Sequence, residues 1–172
     1  MPNRMDAISF LRADHDKVRG LLAQLEQTTD RGSRRKELLT QIADEVSIHA
    51  TLEEEIFYPS YRDAAKNKED KQLYQEALEE HHVVDLVLPE IEEIDPSSEV
   101  FAAKAKVLKD IIEHHAQEEE KLMFTKAREI LKAAELQELG ERMQARKAEL
   151  QRSEEEEDEL ETEQEEEEED ID

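Results

Sequence analysis

The chain has 172 residues and a formal net charge of −25, from 23 Lys and Arg against 48 Asp and Glu. That balance repels phosphate backbones and anionic lipid, so neither nucleic acid nor a membrane surface is an expected partner. The absence of Cys excludes disulfides, zinc–thiolate sites and a thiol nucleophile.

No apolar run of signal-peptide length opens the chain, and none approaches the ~20 residues of a membrane span, so the expectation is a soluble cytoplasmic protein. With three Gly, four Pro and an abundance of Leu, Ala, Glu and Lys, helix is favoured almost throughout. Breaks fall at Asp30-Arg31-Gly32-Ser33, at 59–67, and at Asp95-Pro96-Ser97-Ser98. They delimit helices over 6–28, 34–58, 70–94 and 99–131, with Ser33 and Ser98 as N-caps. Pro89 inside the third should kink or loosen it. A fifth segment, 134–150, aligns Leu136, Leu139, Met143 and Leu150 as an amphipathic extension. From Ser153 to Asp172 there are fifteen acidic residues and no basic ones, a composition that favours disorder or a frayed helix. The expected fold is all-α: an up-and-down antiparallel four-helix bundle over 1–131, a helical extension over 132–152 and a disordered acidic tail over 153–172.

The apolar seams of the four helices are interrupted at their middles. The first runs Ile8, Leu11, His15, Val18, Leu22, Leu25, and the second Leu39, Ile42, Val46, His49, Glu53, Ile56. The third runs Tyr74, Ala77, His81, Val84, Leu88, Ile91, and the fourth Ala105, Leu108, Ile112, His115, Glu119, Leu122. An offset of 66 residues carries His15 onto His81, His49 onto His115 and Glu53 onto Glu119, with their apolar neighbours in register. The midpoint of 15 and 49 is Gly32 and that of 81 and 115 is Ser98, both in expected turns, so four histidines and two glutamates should meet at one height inside the bundle.

A buried ionised carboxylate without compensation costs several kcal/mol, and two side by side cost more. Against a total stability of ~5–15 kcal/mol, the cluster must hold a cation or hold the carboxylates as protonated, bonded acids. Imidazole and carboxylate without thiolate suit Fe, Mn or Zn, and the central position suits a dinuclear centre in which Glu53 and Glu119 would bridge two metals. His82 and His114 lie one residue off the seam, either as partners supporting the ligands or as solvent-facing bystanders, and Glu54, Glu55, Glu118 and Glu120 read most simply as solvated helix faces, any of which could swing in as an extra ligand. The Glu-x-x-His alternative is met only by Glu79 with His82 and is not repeated. No Ser or Thr stands beside a His in a sharp turn, so enzymatic turnover through a hydroxyl nucleophile is not expected.

These residues carry a resemblance. Asp14-His15-Asp16-Lys17-Val18, His49-Ala50-Thr51-Leu52-Glu53 followed by Phe57-Tyr58-Pro59, Glu80-His81-His82-Val83-Val84 and His115-Ala116-Gln117-Glu118-Glu119 make residues 6–131 similar to the hemerythrin-like, or HHE cation-binding, family. The resemblance implies a non-haem di-iron centre held by His15, His49, Glu53, His81, His115 and Glu119, with a bridging oxygen species. Two positions depart from the oxygen-carrier pattern: neither Ala77 nor Asp85 supplies a second histidine on the third helix, and Glu119 replaces an Asp. A site one histidine short leaves a position for a diatomic or peroxide ligand and favours redox sensing, iron handling or stress defence over oxygen transport. The rival expectation is a metal-free helical adaptor whose acidic tail recruits a basic protein partner.

Overall fold

Three rods of the structure begin where a side chain closes the first turn. Asp6 accepts from the Ser9 amide at 2.8 Å, Asn67 from Asp70 at 2.8 Å and Ser98 from Phe101 at 3.1 Å. The computed structural model describes residues 5–29 and 32–169, with side chains through 153 and at 155 and 156. Among the described residues there is no strand, and the helices are α1 (Ala7–Gln27), α2 (Ser33–Leu52), α3 (Tyr58–Ala64), α4 (Lys68–Glu92), α5 (Glu99–Glu118), α6 (Phe124–Ile130) and α7 (Ala133–Glu169). Packing of α1 on α2, α2 on α4, α4 on α5 and α5 on α1 closes the expected up-and-down bundle. No helix among the described residues is long and apolar enough to cross a membrane.

The second and fourth rods each contain one wide π-turn, Glu53–Phe57 between α2 and α3 and Glu119–Met123 between α5 and α6, and the two are related by the same offset of 66. Tyr58 N–H and Phe124 N–H reach back five residues, to the carbonyls of Glu53 and Glu119. The extra residue rotates everything beyond it. Leu122, expected in the seam, is 48% exposed although Ile56 at its repeat position is 6% exposed, and Met123 and Phe124 face inward. Pro59 likewise does not end the second rod: it sits in the first turn of α3, and helix continues to Ala64. Thr125 holds its repeat position, and a π-turn forms there too, so the wide turn accommodates the proline rather than resulting from it. Ser33 is the first residue of α2 and Gly32 takes the cap position, whereas Ser98 caps as expected. Pro89 lies inside α4, which ends at Glu92.

The core falls into two apolar clusters. One joins Val18, Leu22, Leu25, Leu38, Ile42, Leu88 and Leu108 at the end nearer the 28–33 turn, and the other joins Leu11, Leu52, Phe57, Tyr61, Phe124 and Ala127 at the opposite end. The polar seam positions lie between them. Helix α7 crosses the α1/α2 face and buries Leu136, Leu139 and Met143. Gly140 makes that crossing possible, because a Cβ there would stand 2.2 Å from the Met5 carbonyl oxygen. The backbone of α7 carries the acidic run as helix to Glu169; of the tail, residues 170–172 and the side chains of 154 and 157–169 lie outside the described residues.

Candidate metal centre

Helices α1, α2, α4 and α5 each bring one imidazole to the same level, and the two π-turns bring one carboxylate each. His15, His49, His81 and His115 are 5–7% exposed, Glu53 is 0% and Glu119 is 2%. The level expected from the hairpin midpoints is the level observed. His15 Nε2 lies 3.1 Å from His49 Nε2 and 3.2 Å from Glu119 Oε2. His81 Nε2 lies 3.2 Å from His115 Nε2 and 3.1 Å from Glu53 Oε2. Glu53 Oε1 is 3.2 Å from His49 Nε2, and Glu119 Oε2 is 3.5 Å from His115 Nε2. Both carboxylates thus reach imidazoles from both halves of the repeat.

All four rings turn their outer nitrogen toward a carboxylate. His15 Nδ1 is 2.9 Å from Glu120 Oε1, His81 Nδ1 is 2.7 Å from Glu54 Oε1, and His115 Nδ1 is 2.8 Å from Glu80 Oε2. His49 Nδ1 faces Asp14 Oδ2 at the longer distance of 3.7 Å. These outer acids obey the repeat as well, Asp14 matching Glu80 and Glu54 matching Glu120. Sequence reasoning placed Glu54 and Glu120 on solvated faces and gave Asp14 and Glu80 no role of their own; applying the offset of 66 to the acids as well as to the histidines would have found them.

The outer acids fix the chemistry of the inner atoms. An ionised carboxylate only accepts, so an imidazole that donates its Nδ1 proton outward presents a bare Nε2 lone pair inward. His49 Nδ1, 3.7 Å from Asp14, has no hydrogen-bond partner. With metal bound, His15, His81 and His115 would present three such lone pairs to the two carboxylates in a dry layer, where the Tyr58 hydroxyl is a further donor. That hydroxyl donates to Glu119 Oε1 at 2.8 Å and lies 3.2 Å from Glu53 Oε2 and 3.4 Å from His81 Nε2. Glu53 Oε1 and Glu119 Oε2 are buried without a hydrogen-bond partner. Donor atoms around a cation at bond lengths of ~2.1 Å stand about 3.0–3.4 Å apart, and the inner atoms here keep close to that spacing. The donor set therefore fits metal cations.

In the protein without metal, protons carry the positive charge. Burial works against a charged His49, but the Glu53 charge, contacts with Asp14 and Glu53, and the Glu119 charge together lift its pKa to about 10. Burial also opposes a charged His115, and Glu119, Glu53 and Glu80 raise it well above the ordinary imidazole value. Burial raises Glu53, yet the facing His49, His115 and His81 bring it well below the usual carboxylate range. Burial, then the charges of Glu119 and Glu53, push the Tyr58 phenol well up, so its proton is retained.

Tyr58 was not among the expected site residues. Its repeat position is Phe124. Tyr58 stacks on His81 with ring centroids 5.5 Å apart, and Phe124 stacks on His15 at 5.7 Å, so the two halves differ here by one hydroxyl. Helix α7 adds another unexpected group: Lys147 donates to Asp14 Oδ1 at 2.7 Å, behind His49. His82 and Glu79 are exposed, and the structure does not bring them into the cluster. Next to the inner layer lies a cavity of about 40 Å³, its apolar wall formed by Val18, Val46, Val84 and Ile112.

The sequence profile of the family described as Hemerythrin HHE cation binding domain matches residues 6–127. Among solved structures, the chain resembles a hemerythrin HHE cation-binding domain-containing protein from Mycobacterium kansasii, with a TM-score of 0.76, 27% identity and coverage of 87% of this chain and 89% of that one. Among curated proteins, it is 29% identical over 147 residues to a DNA nickase of Nostoc sp. (strain PCC 7120), a match that takes in 86% of this chain but only 40% of the relative's length.

Proposed function

The chain belongs to the hemerythrin HHE cation-binding domain family, and on that premise we propose that its interior His/Glu layer binds a pair of iron ions and presents them to a small ligand such as oxygen, peroxide or nitric oxide. His15, His49, His81 and His115 would be the terminal ligands and Glu53 and Glu119 the bridging ones. Residues 1–131 are the functional unit in this reading, with 132–152 packed on it and 153–172 as an appendage. The observation that carries it is the orientation of all four imidazoles, each with its Nδ1 side toward an acid and its Nε2 toward Glu53 and Glu119.

When bound, iron supplies Lewis-acid and redox chemistry. The protein's own contribution is geometric and electrostatic. Glu120, Glu54 and Glu80 fix the tautomers of His15, His81 and His115, Asp14 faces His49 at 3.7 Å, and the two apolar clusters exclude bulk water from the layer. Tyr58 keeps a proton within hydrogen-bond reach of both inner carboxylates. A cavity of about 40 Å³ supports a ligand of two or three atoms and leaves no room for an organic substrate. This size, with the absence of a histidine at Ala77 or Asp85, favours sensing, iron handling or defence against oxidants over oxygen transport. The nicking named for the cyanobacterial relative stays with that protein, since 60% of its length has no counterpart in the match and this chain carries a charge of −25.

The test is the optical spectrum of iron-loaded protein before and after oxygen, peroxide and nitric oxide. A change in the iron-dependent bands with at least one of them is expected. Unaltered bands with all three would remove the small-ligand reading.

A further inference from the structure

The two halves of the repeat part company behind the outer acids. In the first half, Asp14 has one oxygen toward His49 Nδ1, and its other oxygen accepts from Lys147 of α7 at 2.7 Å. Ile48 and Leu52 of α2 are buried, 3% and 0% exposed. In the second half, Glu80 has one oxygen on His115 Nδ1 at 2.8 Å, but α7 does not cross this face. The positions of Ile48 and Leu52 are taken by His114 and Glu118. His114 Nε2 lies 3.5 Å from Glu80 Oε1, the oxygen that His115 does not use, and 3.8 Å from Glu118 Oε1. Among the described residues neither Glu80 nor Glu118 pairs with a Lys or Arg. Glu79 stands along the same open groove and adds negative charge, whereas Asp110 there is paired with Lys106 at 2.7 Å.

We propose that Glu80, His114 and Glu118 form a surface binding site for a divalent transition-metal cation, which occupies toward Glu80 the place that the Lys147 ammonium occupies toward Asp14. One imidazole with two carboxylates selects zinc, ferrous iron or manganese over magnesium and calcium, because the nitrogen donor favours the softer ions. The separations of 3.5 and 3.8 Å exceed by a few tenths of an ångström the ~3.0–3.4 Å of donors around one ion. His114 and Glu118 are 65% and 38% exposed, one helical turn apart, and free to close that gap. Three protein ligands leave positions for water, so the ion exchanges readily. Glu80 then bridges the surface ion and His115, one carboxylate away from the interior layer. The site does not depend on what fills that layer.

The experiment counts zinc on the full-length chain. Iron-loaded protein and its His114→Ala and Glu118→Gln variants are dialysed against micromolar ZnCl2 at physiological salt, and both metals are measured. The unaltered protein is expected to take up one zinc per chain more than either variant, with equal iron in all three; weak binding along the acidic segment is common to all. Equal zinc in the three proteins overturns the proposal. Repeating the comparison in a His49→Ala background separates the readings. A His114-dependent zinc persists there even if iron is lost, whereas its disappearance there would place the extra zinc in the interior layer and also overturn the surface site.

Discussion

Neighbouring glutamates in the first π-turn should differ sharply in their effect on iron. Glu54 Oε1 lies 2.7 Å from His81 Nδ1, whereas Glu55 turns the other way and receives Arg146 of α7 at 2.8 and 3.0 Å. Losing the outer carboxylate of an imidazole ligand lowers metal affinity about 10–100-fold, and at 1.4 kcal/mol per decade this is about 1.4–2.8 kcal/mol. Glu54 is 46% exposed, so water replaces part of the lost acceptor. Glu54→Ala should therefore fall at the lower end, about tenfold. Glu55→Ala should leave iron affinity unchanged and only loosen a surface pair on α7. Anaerobic competition for ferrous iron against a coloured chelator measures both. Equal losses in the two variants, or no loss in Glu54→Ala, would refute the claim that the outer acids orient the rings.

Tyr58→Phe makes the second rod match Phe124 of the fourth; it should retain iron, alter the iron spectrum, and lower metal-free stability by about 1–3 kcal/mol because the buried Glu119 carboxylate loses its hydroxyl donor. Thermal melts of the two forms check this. A second expectation concerns pH. Folded His49 keeps a proton to about 10 that the unfolded chain releases near 6.5, so the folded state binds more protons across that window. Stability of the metal-free protein should therefore be full below about 6.5 and fall as pH rises toward 10, with His115 acting in the same direction. The iron-loaded protein should show a flatter profile, and a metal-free melt that rises over this window would contradict the assignment. Gly140→Ala should destabilise by about 1–3 kcal/mol through collision with the backbone at Met5, Asp6 and Ala7, measured by denaturant unfolding with iron content unchanged.

The bundle and the level of its polar layer were legible because both rest on periodicity. Apolar spacing marks the inward face, and hairpin symmetry about Gly32 and Ser98 sets the height at which His15, His49, His81 and His115 meet. What escaped has local physical causes. A π-turn adds one residue without a composition signal, so nothing in the spacing marks Tyr58, one residue off the seam, as inward, and Leu122 is exposed where Ile56, its repeat partner, is buried. An outer acid looks like any solvated helix residue until its direction is known, which hid Glu54 and Glu120. Lys147 reaches Asp14 across a tertiary contact of α7 that no repeat encodes.

The most direct measurement is anomalous scattering at the iron edge from crystals of iron-loaded protein. Two peaks are expected between Glu53 and Glu119, one about 2.0–2.2 Å from the Nε2 atoms of His15 and His49 and the other at the same distance from those of His81 and His115. Iron found elsewhere on the chain, or no peak in a layer whose side chains keep the arrangement described above, would contradict it.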